Sequence, residues 1–275
     1  MTAVEAFAPA KINLTLHVTG RRQDGYHLLD SLVMFADLGD RVKVRPARCS
    51  SLTVTGPMAA GVPSGPDNLV QRAADLIGIT AAITLEKHLP SAAGLGGGSS
   101  DAAATLKALS LMSGRPVPKE TLTLGADVPV CLLTRATRMR GIGEDLSQVS
   151  GVPPLHAVLI NPGVPLSTAA VFRHLAQPDN PPMPKTLPRW GQAADLMHWL
   201  TQQRNDLETP AIAELSEIAQ VIARLRATPG CQMARMSGSG ATCFGLYESA
   251  EKAWMAANRL AVDCPGWWVR AVRLS

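Results

Sequence analysis

Four glycines within five positions, Gly94, Gly96, Gly97 and Gly98, run directly into Ser99, Ser100 and Asp101. Beyond them Ala102 to Leu111 is a run of strong helix formers. Ser and Asp are preferred helix N-caps, so the order predicts a glycine loop passing into a helix start. Such a junction presents unpaired backbone N–H groups at the positive end of a helix dipole, where an anion is stabilised. Glycine suits it because a Cβ would hold the backbone away from phosphate oxygens and forbid positive φ. A plain strand-to-helix turn uses similar residues. The apolar strand ahead (Ile83, Leu85) and the capping residues behind favour a phosphate cradle. No Lys-Ser/Thr pair follows the last glycine, so this is not the common P-loop, and no acidic strand end lies where a dinucleotide fingerprint needs one. A cation for the phosphates must come from elsewhere in the chain, with Mg²⁺ a candidate.

Phosphoryl transfer to an alcohol also needs a group that places or deprotonates the hydroxyl, and neutralisation of charge. Asp127 stands in an otherwise apolar segment, Leu122 to Leu133, where an unpaired carboxylate is costly to bury. A turn Asp bonded to its own backbone is the alternative, given Gly125 beside it. Lys11, between Ala10 and Ile12 at the mouth of an apolar strand, could pair with Asp127 or snorkel to solvent. Tyr26-His27 follows a tight turn; an aromatic beside an imidazole can stack on a base and bond its edge, or be ordinary surface. Ser237-Gly238-Ser239-Gly240 lies between two apolar strands and reads as their joining turn.

The run Pro90-Ser91-Ala92-Ala93-Gly94-Leu95-Gly96-Gly97-Gly98-Ser99-Ser100 resembles the ATP-binding motif of the GHMP kinases, the group of galactokinase, homoserine kinase and the mevalonate kinases. Pro9-Ala10-Lys11-Ile12-Asn13-Leu14 and Ser237-Gly238-Ser239-Gly240-Ala241-Thr242 resemble that family's other two motifs. Asp24-Gly25-Tyr26-His27, Gly125-Ala126-Asp127-Val128-Pro129 and Asn205-Asp206-Leu207-Glu208 are similar to the branch whose alcohol substrate carries a cytidylyl group. The resemblance implies an α+β, two-domain GHMP-kinase fold, with a ribosomal-protein-S5-domain-2-like N-terminal domain and a ferredoxin-like C-terminal one, and an active site between them. It implies ATP as co-substrate, Mg²⁺ bound mainly through phosphates with no protein metal ligands, and Lys11 and Asp127 as the catalytic pair. It assigns Asn13, Tyr26, His27, Thr168 and Phe172 to the small-molecule substrate, Phe172 closing on the cytosine from a later helix. It gives the Ser237–Gly240 turn N–H and hydroxyl groups facing substrate or phosphates. The implied reaction phosphorylates the 2-hydroxyl of a cytidylyl derivative of methylerythritol on the non-mevalonate route to isoprenoids. A kinase of homoserine or of a mevalonate derivative is the nearest rival, although neither substrate has a base to clamp. A nucleotide-binding regulator without catalysis is the rival from another class, and it would need neither Lys11 nor Asp127.

The elements that must position these residues are visible in the hydrophobic pattern. Ile12, Leu14, Leu16 and Val18 alternate with Asn13, Thr15, His17 and Thr19, predicting a half-buried strand. Leu32–Phe35, Val42–Arg45 and Leu52–Thr55 read as further short strands separated by turns. Asn68–Ile77 has helical spacing with Asp67 as its cap, and Ala82–Glu86 is a strand feeding the glycine loop. Only Lys119–Leu124 separates Pro118 from Gly125, where the family carries a longer helix. Past Leu155, the reading is a strand over Ala157–Asn161, a helix over Thr168–Leu175 and an exposed proline-rich connector from Pro178 to Pro188. One amphipathic helix of some four turns runs from Ile212 to Leu225. Strands at Met233–Met236, Thr242–Tyr247 and Trp268–Val272, with a helix over Ala250–Leu260, complete a split βαβ unit. The expected domains are residues 1–150 and 151–275.

Bulk properties set the outer limits. With 46% apolar and 17% charged residues in 275, the chain suits a well-buried globule, and a net charge of +4 is small. No lysine-arginine block or aromatic platform argues for nucleic acid. The five cysteines are scattered without a Cys-x-x-Cys pair, so neither zinc nor a disulfide framework is indicated. The start, Met-Thr-Ala-Val-Glu, has no basic, apolar leader and no run reaches membrane length. A cytoplasmic protein, monomer or weak homodimer, with no membrane or nucleic-acid partner is expected.

Overall fold

The computed structural model describes residues 3–275; Met1 and Thr2 of that start lie outside it. In chain order come strands β1 (Val4–Asn13), β2 (His17–Arg21), β3 (His27–Pro46) and β4 (Ser51–Thr55), then helix α1 (Leu69–Ile77) and strand β5 (Ala81–Glu86). Helices α2 (Gly97–Ser113) and α3 (Val128–Leu133) follow, with a single 3₁₀ turn, Thr121–Leu124, between them. Strands β6 (Thr137–Gly141), β7 (Asp145–Gln148) and β8 (Leu155–Asn161) lead to helices α4 (Thr168–Arg173), α5 (Ala193–Thr201), α6 (Glu208–Glu214) and α7 (Glu217–Arg226). The chain ends with β9 (Cys231–Met236), β10 (Cys243–Tyr247), α8 (Ala250–Asp263) and β11 (Trp268–Leu274). No helix among the described residues is long and apolar enough to cross a membrane.

The residues form two compact units. The first takes the chain up to Lys11, Leu38–Ser91 and Gly96–Thr134. In it β5 pairs antiparallel with the second half of β3, from Arg41 opposite Glu86 to Pro46 opposite Ala81, and parallel with β4. Helix α2 packs on α1 and α3, and its Ala102, Ala103, Ala104, Leu106, Ala108 and Leu109 are all buried. Ala needs little room and loses no rotamer freedom, so a 17-residue helix can lie close to its neighbours. At Gly39 β3 runs so close to the N-terminal strand that a Cβ would lie 2.2 Å from the Ala8 carbonyl oxygen.

The second unit takes Ile12–Asp37, Ala92–Leu95 and Arg135–Ser275. The first half of β3 pairs with β2 and β6, and β6 with β7, all antiparallel. Strands β8, β9, β10 and β11 pair antiparallel in the spatial order β11-β8-β10-β9. Numbered by sequence that is fourth, first, third, second, the ferredoxin-like arrangement expected. Helices α7 and α8 pack on this sheet, and Val158, Ile160, Ile218, Val221, Ile222, Leu225 and Leu260 fill the core.

Several sequence expectations need correction. The alternating stretch from Ile12 to Val18 is not half-buried, because both faces are covered. Its polar members are held by hydrogen bonds instead: Leu32 N–H donates to Thr15 Oγ1 and Ser31 Oγ donates to the Thr15 carbonyl. These bonds interrupt the strand between Asn13 and His17. Leu32–Phe35 and Val42–Arg45 are one strand, since Asp37–Asp40 continues β3 rather than turning. Asn68, not Asp67, caps α1, its side chain accepting from Val70 N–H at 2.9 Å. The helix predicted over 212–225 is two, broken where Leu215 is extended at φ −141° and ψ 94°. The connector 178–188 is not simply exposed. Met183 is buried, and buried Arg138 donates to the carbonyls of Met183, Pro184 and Lys185 while pairing with Asp30.

Candidate active site

In the first unit the glycine loop enters α2 through Gly96, which is itself the N-cap at φ +62° and ψ +20°. Ser99, Ser100 and Asp101 therefore lie inside the helix and do not cap it, contrary to the order expected from their preferences. A left-handed cap is reached cheaply by glycine alone, and the first N–H groups of α2 have no acceptor within the helix. Ser100 Oγ, freed from capping, donates to the Pro9 carbonyl at 2.8 Å and ties the helix start to β1.

The absent side chain of Gly96 also makes room for the chemistry. A Cβ there would meet Lys11 Cε at 3.1 Å and Asp127 Oδ2 at 3.7 Å. Lys11 Nζ donates to Asp127 Oδ2 at 2.8 Å. Lys11 is 4% exposed and the Asp127 side chain 30%, so the ammonium is enclosed while the carboxylate reaches outward. Of the alternatives the sequence left open, Lys11 pairs rather than snorkels, and Asp127 makes no capping bond to α3. One helical turn on, burial and then the Asp127 charge push the Cys131 thiol up, which keeps it protonated and inert.

In the second unit Gly94 is at φ +72°, and a Cβ on it would lie 2.3 Å from the Ser237 carbonyl oxygen. Ser237 Oγ donates to the Gly94 carbonyl at 3.0 Å and accepts from Asn13 N–H at 3.1 Å. Thr242 N–H donates to the Ala93 carbonyl. The 92–95 stretch is thus fastened to the Ser237–Gly240 turn. That turn is fixed in its own right by Asn205, whose Nδ2 donates to the carbonyls of Met236 and Gly238 at 2.9 and 2.8 Å, and by Glu208, which accepts from Met236 N–H. Asn13 Nδ2 donates to Ser31 Oγ at 2.7 Å, and its buried Oδ1 has no partner among the described residues. Thr168 and Ser239 hydroxyls are hydrogen-bonded at 2.8 Å.

His27 and Phe172 stack at 4.6 Å between centroids, 19° from parallel. Rings in such contact admit nothing between them, so a flat ligand would use an outer ring face. Burial, then the Arg21 charge, lowers the His27 pKa below the usual histidine value, so the ring is neutral at pH 7 and can both donate and accept. Tyr26, next to it, is 61% exposed at the end of the Asp24-Gly25 turn.

Sequence reasoning missed the buried cluster of Asp40, Lys87 and Asp101, which lies against Gly97. The one available signal was a lysine at the end of an apolar strand, two residues before Leu89-Pro90, and nothing in the sequence pairs it with residues 47 and 14 positions away. Asn205 and Glu208 stood out by resemblance, with no stated role.

A model of the GHMP kinase N-terminal domain matches residues 58–135, and one of the C-terminal domain matches residues 184–261. The chain is 58% identical to the 4-diphosphocytidyl-2-C-methyl-D-erythritol kinase of Dinoroseobacter shibae, over 97% of this chain and 93% of that one. It is likewise 58% identical to that of Paracoccus denitrificans, over 98% and 96%. A crystal structure of 4-(cytidine 5'-diphospho)-2C-methyl-D-erythritol kinase superposes with a TM-score of 0.81 at 37% identity, covering 98% of this chain and 99% of the other. Homoserine kinase from Cytophaga hutchinsonii, at 17% identity and a TM-score of 0.64, shares the fold. The chain belongs to the GHMP kinase family, on the branch of the 4-diphosphocytidyl-2-C-methyl-D-erythritol kinases.

Proposed function

We propose that the protein transfers the γ-phosphoryl group of ATP to the 2-hydroxyl of 4-diphosphocytidyl-2-C-methyl-D-erythritol, yielding the 2-phosphate and ADP on the non-mevalonate route to isoprenoids. The observation that carries this reading is the Lys11–Asp127 pair at 2.8 Å beside the cap glycine of α2. The N–H groups that open α2, those of Gly97, Gly98 and Ser99, and the rest of the Pro90–Ser100 loop suit the ATP phosphates. The substrate hydroxyl oxygen attacks the γ-phosphorus, the bond from that phosphorus to the β–γ bridging oxygen breaks, and the hydroxyl proton passes to the Asp127 carboxylate. Lys11, bonded to Asp127 at 2.8 Å, orients that carboxylate and stabilises charge gathering on the attacking oxygen.

Asn13, Tyr26, His27, Thr168 and Phe172 take the cytidylyl substrate in this account. The neutral His27 ring can bond the edge of cytosine, and the Phe172 face can stack on it. The unpartnered Asn13 Oδ1 is an acceptor in keeping with a polyol. Magnesium fits this chain as an ion carried by the phosphates. The described residues hold no cluster of three acidic, His or Cys side chains, and the buried Asp40 and Asp101 are already engaged by Lys87. When bound, it neutralises phosphate charge. The enzyme is read as cytoplasmic, monomeric or weakly dimeric, and without a nucleic-acid partner, in keeping with its small net charge.

The test is ADP release with a panel of alcohols. Turnover with the cytidylyl alcohol, and none with homoserine or mevalonate, is expected; turnover with either of the latter at comparable kcat/KM overturns the substrate assignment.

A further inference from the structure

The first unit contains a second ionic cluster with no part in the chemistry above. Lys87, 3% exposed, donates through Nζ to Asp101 Oδ2 at 2.8 Å and to Asp40 Oδ2. Asp40, fully buried in β3, also accepts through Oδ1 from His88 N–H at 2.5 Å and Leu89 N–H at 2.9 Å. The Lys87 backbone is fixed as well, its N–H donating to the Thr55 carbonyl and its carbonyl accepting from Met58 N–H. Asp101 lies in the second turn of α2. The three side chains therefore join the segment that enters the glycine loop, the helix that leaves it, and β3.

Adjacent glycines face the two clusters. The missing Cβ of Gly96 points to Lys11 and Asp127, and that of Gly97 to Lys87 Nζ at 3.6 Å and Asp40 Oδ2 at 3.9 Å. Taking two carboxylates and one ammonium out of water can cost more than their attraction returns, so stability alone does not account for this triad. What depends on it here is the spacing of the loop's two ends.

We propose that Asp40, Lys87 and Asp101 form a positioning triad that sets the glycine loop for ATP, so that its net charge governs nucleotide affinity and not substrate affinity. The inference rests on the loop's reading as the ATP phosphate site. With both carboxylates ionised the triad carries one net negative charge beside Gly97. Asp101 Oδ1 is buried without a hydrogen-bond partner among the described residues, the costliest setting for that charge. Burial, offset in part by Lys87 and reinforced by Asp40, raises the Asp101 carboxyl to about 7. Raising the pH through neutrality then places a negative charge under the loop and weakens ATP. The other titratable groups near the loop are held in contacts of their own. Glu86 and His88 pair with each other at the surface, Lys11 and Asp127 pair at Gly96, and the Cys131 thiol is held protonated by burial.

The experiment is calorimetry of MgATP, adenosine and cytidine diphosphate with wild type, Asp101→Asn and Lys87→Met at pH 6 and pH 8. Wild type is expected to bind MgATP about three- to tenfold more weakly at pH 8 relative to the Asp101→Asn variant, whose triad cannot gain the charge. Lys87→Met should lose at least about tenfold in MgATP affinity, with cytidine diphosphate unchanged. Should Lys87→Met fail to fold, the isosteric Asp101→Asn series decides alone. If wild type binds MgATP no tighter than adenosine, the phosphate reading itself fails and the triad proposal falls with it. If wild type prefers MgATP but the Asp101→Asn variant keeps the wild-type pH response, only the triad proposal is overturned.

Discussion

The region around Gly96 and Gly97 works with full charges in enclosed pairs, while the region around His27 and Phe172 works with stacked rings and hydroxyl groups. Lys11, Asp127, Lys87, Asp40 and Asp101 make up the first, and all but Asp127 are buried. In the second, His27 is kept neutral, and Thr168 and Ser239 satisfy one another. The difference follows what each must hold. A triphosphate and a developing oxyanion are charged, so the sign and placing of fixed charges around them decide how strongly each is held where water is excluded. A cytosine is flat and uncharged, so a ring face and a few neutral donors select it. The comparison teaches that substitutions in one region should act on rate and nucleotide, and in the other on the alcohol substrate.

The largest expected effect belongs to the charged region. Lys11→Met should lower kcat by roughly 10²–10³, because it removes the positive charge that stabilises the attacking oxygen and the hydrogen bond that orients Asp127. Combined with Asp127→Asn it should lose far less than the product of the single losses, as residues acting as a unit do. Multiplicative losses in steady-state kinetics would mean that the pair does not act as one.

Next in size is a stability effect of Asp101. Its carboxyl is raised from 3.8 to about 7 in the folded state, so the folded protein binds that proton more tightly than the unfolded chain. The associated stability is fully present below about pH 4 and is lost as pH rises through about 7. Asp101→Asn should remove this loss, so the difference in stability between variant and wild type should shift in the variant's favour from pH 5 to pH 8, by an amount on the order of a few kcal/mol. Urea titrations at the two pH values read it directly; an unchanged difference would show Asp101 ionised throughout.

Smaller effects belong to the rings. Phe172→Ala should raise KM for the cytidylyl substrate roughly tenfold to a hundredfold, since stacking contributes about 1–3 kcal/mol per base. KM for ATP should hardly move. An equal rise in both would erase the division between the regions. Tyr26→Ala should do less, within about tenfold on KM for the substrate, because the exposed Tyr26 ring must be ordered before it can contribute. A rise matching that of Phe172→Ala would show that Tyr26, not the His27–Phe172 stack, is the main base platform.

The legible part of the molecule was what residue type alone reveals. Glycines ahead of an alanine-rich helix, a lysine and an aspartate in apolar company, and the strand-strand-helix-strand ending all announced themselves. The residues by themselves left the partnership of Lys11 and Asp127 open, because 116 positions separate them and composition carries no distance; only the family resemblance paired them. Lys87 was missed for a related reason. At a strand end a lysine reads as solvated, and only the three-dimensional arrangement brings Asp40 and Asp101 to it. The break between α6 and α7 was invisible because Leu215, the residue that leaves the helix, keeps the apolar phase. Asp37–Asp40 was read as a turn since aspartate and glycine favour one. Here Gly39 instead allows two strands to cross closely, and Asp40 spends its carboxylate on Lys87, His88 and Leu89.

The central claim is that Asp127, held by Lys11, receives the proton of the alcohol. Single-turnover kinetics of Asp127→Asn, with MgATP and the cytidylyl alcohol both saturating, tests it most directly. Asparagine keeps the shape and can accept a hydrogen bond, but it takes no proton at neutral pH. The account predicts normal folding, unchanged affinity for both ligands and a phosphoryl-transfer rate reduced by roughly 10²–10⁴. A variant that retains more than about a tenth of the wild-type rate, a loss below roughly 1.4 kcal/mol, would contradict it and reduce Asp127 to the partner of a buried lysine.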